Sequence, residues 1–224
     1  MTQPLSALSP LAARVLGVLV EKQHTVPDTY PLTVNALAAG CNQKTSRDPV
    51  MNATDGEVQA ALDELRAAAF VIESSGSRVM RYAHNTERVL QVPPQSVALL
   101  AALMLRGPQT AGELRINCER LHHFSDISAV EAFLAELADR AAGPLVMELP
   151  RQPGARENRW AHLLSGPPAP ETVSAAIVTG NAGGDATEGE TAGLSAEVAR
   201  LSREVDDLKT AVAKLFAELG ISRD

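Results

Sequence analysis

The chain has 224 residues, of which 45% are hydrophobic and only 3% aromatic, and its formal net charge is −7. No apolar run approaches the roughly 18 residues that a membrane span needs, and the amino terminus lacks the basic segment and apolar run of a secretory signal. Residues 1–90 and 91–165 each sum to −1, whereas residues 166–224 sum to −5. We expect a cytoplasmic protein whose nearly neutral globular part neither favours nor excludes a nucleic-acid partner.

The first 90 residues predict three helices followed by a β-hairpin. Ser9 and Pro10 are a helix cap and a first-turn proline. Thr54, with Glu57 three residues later, is the pattern of a capping box at the third helix. The predicted segments are helices over residues 10–22, 33–41 and 55–68 and strands over residues 70–73 and 78–83. Three helices and then a hairpin is the order of a winged-helix domain.

The same order recurs in the next 75 residues. Helices are predicted after the Pro93–Pro94 pair, after Thr110 and after Ser125 or Asp126, and strands over residues 146–149 and 158–163. The apolar positions of the two halves match at offsets of 84, 77 and 72 residues, and the offset changes only across two loops. The matched pairs are Leu16 and Leu100, Leu19 and Leu103, Leu37 and Leu114, Cys41 and Cys118, Val58 and Val130, Leu62 and Leu134, and Leu65 and Leu137. A duplicated fold predicts this pattern, and the alternative is a coincidence of amphipathic helices.

The carboxyl-terminal part changes in texture. Residues 166–192 are rich in Gly, Pro, Ala and Thr, which predicts a flexible linker. Residues 193–221 carry a seven-residue repeat, with leucine at the d positions and mostly valine at the a positions, which is typical of a parallel two-stranded coiled coil. The repeat consists of Leu194, Val198, Leu201, Val205, Leu208, Val212, Leu215 and Leu219. We expect a homodimer formed through this helix; the alternative is a helix that packs back on its own chain.

The predicted fold is therefore mostly α with small β-hairpins (α+β), in four segments. Residues 1–90 and 91–165 are two tandem winged-helix domains, residues 166–192 the linker and residues 193–221 the coiled-coil helix. Residues 8–51 (LSPLAARVLGVLVEKQHTVPDTYPLTVNALAAGCNQKTSRDPVM) and 106–115 (RGPQTAGELR) resemble the YceH family of uncharacterised bacterial proteins. This resemblance, which covers about residues 8–164, implies two winged-helix domains and no particular activity.

The third helix of each half is acidic, which argues against the usual way in which a winged helix reads DNA. That mode places the third helix in the major groove, with Arg, Lys, Asn or Gln side chains at base edges. In the first half this helix offers only Gln59 and the late Arg66, and in the second half only a terminal Arg140, each among four acidic residues. Carboxylates repel phosphates, so neither helix is typical of a duplex reader.

Polar and basic side chains elsewhere are candidates for contacts with nucleic acid or with a partner protein. Those between the second and third helices, which we expect on an exposed ledge, are Gln43, Lys44, Thr45, Ser46 and Arg47. Those of the two hairpins are Arg78, Arg81, Arg151, Arg156 and Arg159, with Trp160 beside them. The alternatives are a loop whose Asn42 and Asp48 satisfy local backbone groups, and solvated hairpins with a buried tryptophan.

No residue pattern predicts an enzyme, a cofactor or a metal site. A nucleophile motif and a phosphate-binding glycine loop are missing, and the adjacent His122 and His123 point about 100° apart on a helix. Cys41 and Cys118 are read as buried, reduced small hydrophobes rather than as a disulfide or reactive thiols. The sequence favours a DNA-associated regulator, which fold analogy and the basic residues of the loop and hairpins support. The alternative is a non-enzymatic adaptor in which the winged helices dock a protein partner.

Overall fold

The computed structural model describes residues 7–74, 79–151 and 154–168. These residues form a mixed α and β fold with seven α-helices and two two-stranded antiparallel sheets, in agreement with the predicted α+β class. The helices are α1 (Pro10–Thr25), α2 (Val34–Cys41), α3 (Asp55–Ala67), α4 (Thr86–Leu90), α5 (Pro94–Arg106), α6 (Ala111–Asn117) and α7 (Ile127–Ala138). The strands are β1 (Val71–Ser74), β2 (Arg81–His84), β3 (Val146–Glu148) and β4 (Trp160–His162). The heptad repeat, and the predicted linker beyond residue 168, lie outside the described residues.

The helix caps explain why the helices begin where the sequence predicts. Ser9 accepts a hydrogen bond from the Ala12 N–H at the start of α1, and Thr54 forms the predicted capping box with Glu57 at the start of α3. These side chains satisfy N–H groups that have no partner inside the helix. The structure differs from prediction at less marked ends. Helix α1 continues to Thr25, β1 is shifted by one residue from residues 70–73, and β2, β3 and β4 are shorter than predicted. Helix α4, which has no side-chain cap, was not predicted at all.

The helix caps repeat at the offsets of the predicted duplication. Ser9 and Pro93 precede α1 and α5, Thr33 and Thr110 precede α2 and α6, and Thr54 and Asp126 precede α3 and α7. The residue before each of the two middle caps, Leu32 or Gln109, makes a single β-bridge to the second strand of its own half, at Tyr82 or Trp160. The fourteen paired apolar positions are all buried. We call residues 7–90 the amino-terminal half and residues 91–168 the carboxyl-terminal half.

The two halves meet through α1 and α5, and their buried side chains form one continuous hydrophobic cluster. Gly17 lies at the contact: a Cβ atom added there would come within 3.0 Å of Leu105 Cγ and 3.3 Å of Met104 Cβ. Burial raises the pKa of the Cys41 thiol to about 11 and that of Cys118 to about 12. Both cysteines are free and buried, as predicted, and both stay protonated at neutral pH.

A second close approach occurs within the amino-terminal half, between α2 and α1. A Cβ atom at Gly40 would lie 2.6 Å from Val18 Cγ1, a β-branched side chain with no exposed surface. We expect Gly40→Ala to lower the free energy of unfolding by about 1–3 kcal/mol, because the overlap must be relieved by a shift of packed helices. Gly56→Ala is the matched control in α3, where no atom lies within 4 Å of the new methyl group. Helix propensity predicts a gain of about 0.5–1 kcal/mol there, and chemical denaturation of the two variants measures both effects.

Two histidines make the fold sensitive to acid. Burial lowers the pKa of His84 to about 4, with added repulsion from His24, and burial lowers the pKa of His162 to about 4. An unfolded histidine titrates near 6.5, at about the ordinary value, so the unfolded state takes up protons first as the pH falls. The contribution of the two neutral histidines to the free energy of unfolding is therefore fully present above about pH 6.5, and it is lost as the pH falls towards 4. We expect the melting temperature to drop between pH 7 and pH 5, and to drop less in a His162→Gln variant; equal melting temperatures at the two pH values would contradict this.

Candidate interaction surfaces in the connecting loop, the hairpins and the third helices

Loop 42–52, which connects α2 to α3, contains five of the predicted contact residues, and Arg47 is not on its surface. The Arg47 side chain has 0% exposed area and forms a two-pronged ion pair with Glu21 of α1, with Nη1 to Oε1 at 3.1 Å and Nη2 to Oε2 at 2.6 Å. Its Nε donates to the Gly40 carbonyl at 3.0 Å. Burial by itself would raise the pKa of Glu21, but Arg47 and the neighbouring Lys22 hold that pKa below its ordinary value. The expected exposed position of Arg47 was wrong, because its donors are used inside the chain.

A second arginine, Arg14 of α1, donates hydrogen bonds to the backbone of the loop. Arg14 of α1 is 1% exposed and donates to the carbonyl oxygens of Cys41 at 3.4 Å, Asp48 at 3.0 Å and Pro49 at 2.8 Å. Burial, and then repulsion from Arg47, lowers the pKa of Arg14. A guanidinium placed here supplies the carbonyl groups of an irregular segment with the donors that a helix or sheet would otherwise provide.

Loop 42–52 also contacts the carboxyl-terminal half directly. The Asp48 N–H donates to the Leu105 carbonyl at 2.9 Å, and Arg106 Nη2 donates to Ser46 Oγ at 2.7 Å. Burial and the charge of Arg47 lower the pKa of Arg106. The loop therefore joins α1, the end of α2 and the end of α5.

The remaining loop residues divide between structural and exposed positions. Asn42 exchanges hydrogen bonds with the backbone of Ala53, at 2.8 Å and 2.7 Å, so the structural alternative for this residue is confirmed. Among the predicted contacts, Gln43 is half-buried and Lys44, Thr45 and Ser46 are exposed. The solvent-facing part of the loop thus offers a single cation, Lys44.

The hairpin arginines are also partly engaged within the chain. Arg81 donates to the carbonyl oxygens of Thr29 at 3.1 Å and Pro31 at 2.7 Å. Arg159 reaches Glu113 at 3.4 Å, and Trp160 beside it is half-buried. Arg151 and Arg156 are exposed and have no hydrogen-bond partner within the described part of the chain, and Arg78 lies outside the described residues. Of the four hairpin arginines within the described residues, Arg81 and Arg159 are therefore engaged within the chain, and Arg151 and Arg156 are exposed.

The exposed sides of the third helices are acidic. On α3, Arg66 is paired with Asp63 at 3.2 Å and with Glu73 of β1 at 3.0 Å, and Gln59 donates to Asp63 and accepts from the Tyr82 hydroxyl group. The base-reading side chains predicted for α3 are thus occupied by neighbours. On α7 the exposed polar side chains are Ser128, Glu131 and Glu136, and the exposed Asp139 directly follows the helix.

Several exposed apolar side chains were not predicted. Ile72, Val79 and Met80 of the first hairpin are 50%, 57% and 39% exposed. The exposure of Ile72 follows from the alternation of side chains along β1, because Val71 points inward and its neighbour Ile72 must then point outward. Ile116 of α6 is 70% exposed. Ile116 points away from the core because the buried Leu114 and Cys118, four residues apart, form the inner side of this helix.

The described residues contain neither a metal-binding cluster nor a helix suited to cross a membrane. Residues 7–74, 79–151 and 154–168 contain no group of three or more His, Cys, Asp or Glu side chains arranged to hold a metal ion. None of their helices has both the length and the apolar character required to cross a bilayer.

Comparison with known proteins gives matches over nearly the whole chain. Residues 8–155 match a family model described as a protein of unknown function, DUF480. A UPF0502 protein of Burkholderia orbicola is 58% identical over 223 residues, which cover 98% of this chain and 92% of that protein. UPF0502 proteins of Burkholderia multivorans and Paraburkholderia phymatum are 58% and 56% identical, with the same coverage. These matches agree with the family resemblance seen in residues 8–51 and 106–115.

Proposed function

The chain belongs to the DUF480 family, whose description states no function, and we propose from its own surface that it is a non-enzymatic adaptor that docks a protein. The adaptor consists of two tandem winged-helix domains. The repeated order of three helices and a hairpin supports this fold, as do the single β-bridges of Leu32 and Gln109, which add the short third strand of a winged-helix sheet. Residues 1–90 and 91–165 form the two domains.

The observation that carries the proposal is the composition of the surface formed by α3 and the first hairpin. Its helix exposes carboxylates, and its hairpin exposes Ile72, Val79 and Met80. The Arg66–Glu73 ion pair ties the helix to β1, the strand that also carries Ile72. Exposed apolar side chains on a hairpin favour a protein contact, and the carboxylates of the adjoining helix favour a basic partner and repel phosphates. The surface therefore fits a basic amphipathic segment of another protein.

A binding assay with a defined probe tests this proposal. The probe is a fluorescent helical peptide with leucine on one face and lysine on the other. We expect saturable binding that weakens at least tenfold in an Ile72→Ser/Met80→Ser variant, because both side chains are exposed and their loss leaves the fold intact. Ile116→Ser is the matched control, since this apolar side chain is also exposed but lies on α6, and it should leave the affinity unchanged. Equal weakening in the control, or no loss in the double variant, would overturn the proposed surface.

A DNA-associated regulator is the second candidate function. It is favoured by one observation, the exposed Arg151 and Arg156 beside the second hairpin, to which the exposed Lys44 adds a third cation. Wing arginines can contact phosphates without a reading helix. The acidic faces of α3 and α7 oppose it, and duplex binding that depends on Arg151 and Arg156 would support it.

Homodimerisation through residues 193–221 is a further prediction, which rests on the heptad pattern alone because these residues lie outside the described part of the chain. Sedimentation velocity of the full chain should give a dimer. A Val205→Asp/Leu208→Asp variant should sediment as a monomer, because charges at a and d positions oppose helix pairing. A chain that is monomeric before the substitution would contradict the prediction.

A further inference from the structure

We propose that loop 42–52 is an intramolecular clasp that holds the two halves of the protein in one fixed arrangement. The sequence suggested this loop as a surface for partners. Its hydrogen bonds are instead made to other parts of the chain, namely α1, the last turn of α2 and the end of α5.

Loop 42–52 is longer than the equivalent loop of the carboxyl-terminal half. From Cys41 to the helix cap Thr54 the chain is five residues longer than from the equivalent Cys118 to the equivalent cap Asp126. The added residues lie in the segment that reaches Leu105 and Arg106. A loop that only joined two helices would not need them, since the second half makes the same connection without them.

Hydrogen bonds from two buried arginines fix the conformation of the loop. Arg14 and Arg47, both nearly or fully buried, make five hydrogen bonds to backbone carbonyl groups and two to the Glu21 carboxylate, and Ser46 has a left-handed φ of 60°. All five carbonyl groups belong to loop residues or to the last turn of α2, so the loop has one defined conformation. A segment held by this many hydrogen bonds keeps the elements that it contacts in fixed positions, and it is not free to adapt its conformation to a ligand.

The loop also contacts the carboxyl-terminal half. The Asp48 N–H binds the Leu105 carbonyl, and Arg106 binds Ser46 Oγ, so both a backbone and a side-chain hydrogen bond cross the boundary. Gly107, with φ of 69°, brings the chain past the loop, and a Cβ atom there would lie 3.6 Å from Asp48 Oδ2. These hydrogen bonds lie beside the α1–α5 packing at Gly17, which also contacts Leu105, so α1 and the loop hold the same end of α5. Directional hydrogen bonds next to a packed contact resist a rotation that apolar packing alone permits.

Distance measurement between spin labels tests the clasp in the full chain. Labels are placed at Ala60→Cys on α3 and Ala135→Cys on α7, both exposed, while the native cysteines are buried. We expect one narrow distance distribution, and a broad or shifted one after Ser46→Ala/Arg106→Met. Lys44→Ala/Thr45→Ala is the control in the same loop, because neither residue contacts the other half, and it should keep the narrow distribution.

An unchanged distribution in the Ser46→Ala/Arg106→Met variant would overturn the clasp. If that variant does not fold, hydrogen exchange of the unsubstituted chain decides the question. The Asp48 amide should then exchange as slowly as amides inside α5, because its acceptor lies on the other half. Exchange at the rate of an unstructured peptide would overturn the proposal.

Discussion

Arg47→Met is expected to lower the free energy of unfolding by about 3–5 kcal/mol, the cost typical of removing one partner of a buried ion pair. The guanidinium has no exposed area, and the side chain of its partner Glu21 is only 18% exposed. Methionine fills much of the same volume, but it leaves the Gly40 carbonyl without its Arg47 donor and the Glu21 carboxylate with only the Lys22 ammonium, at 3.1 Å. The loss therefore comes from desolvated polar groups rather than from a cavity.

Two further variants separate this explanation from a general effect of losing an arginine. Arg66→Met removes ion pairs to Asp63 and Glu73 whose arginine is 55% exposed, so it should cost less than about 1 kcal/mol. Glu21→Leu added to Arg47→Met should restore part of the lost stability, because no uncompensated charge then remains. Chemical denaturation gives all three values, and a cost for Arg47→Met no larger than that of Arg66→Met would contradict the burial argument.

Gly17→Leu is expected to lower the free energy of unfolding by about 3 kcal/mol, at the upper end of the usual cost of overpacking a core. Even a single Cβ atom at this position would touch Leu105 and the Cβ of Met104. A leucine must therefore force α1 and α5 apart and weaken the packing between the halves. The matched control is Gly56→Leu on α3, where nothing lies within 4 Å of an added Cβ.

The control should be neutral or slightly stabilising, since leucine has the higher helix propensity. Thermal and chemical denaturation measure both variants. A Gly17→Leu protein as stable as the unsubstituted chain would mean that the α1–α5 contact is loose enough to accept four extra carbon atoms, and the single continuous core would need revision.

Local signals accounted for most of the fold that the sequence predicted correctly. Ser9, Thr54 and Asp126 begin helices because their side chains accept hydrogen bonds from the first turn, which depends only on residues three positions away. The apolar stripes of α1 and α5 likewise follow from periodicity. Helix α4 was missed because Asn85 makes no side-chain cap and five residues are too few to show a period.

The candidate surface was predicted less well, because exposure depends on contacts distant in sequence. Arg47 looked like an exposed loop cation, yet its partner Glu21 is 26 residues away. The acceptors of Arg81, at Thr29 and Pro31, are about fifty residues away. No local pattern reveals such pairs. The acidic character of α3 was readable, because helix periodicity places Asp63 on the outer face.

The central claim, that the chain docks a protein rather than duplex DNA, is tested most directly by titrating the full chain into a fluorescent generic duplex across salt concentrations. The proposed adaptor predicts no change in anisotropy even at low salt, because the exposed faces of α3 and α7 are acidic and three of the predicted basic residues, Arg47, Arg81 and Arg159, are engaged within the chain. Binding that weakens steeply between roughly 50 and 200 mM salt would reveal several phosphate contacts and contradict the account.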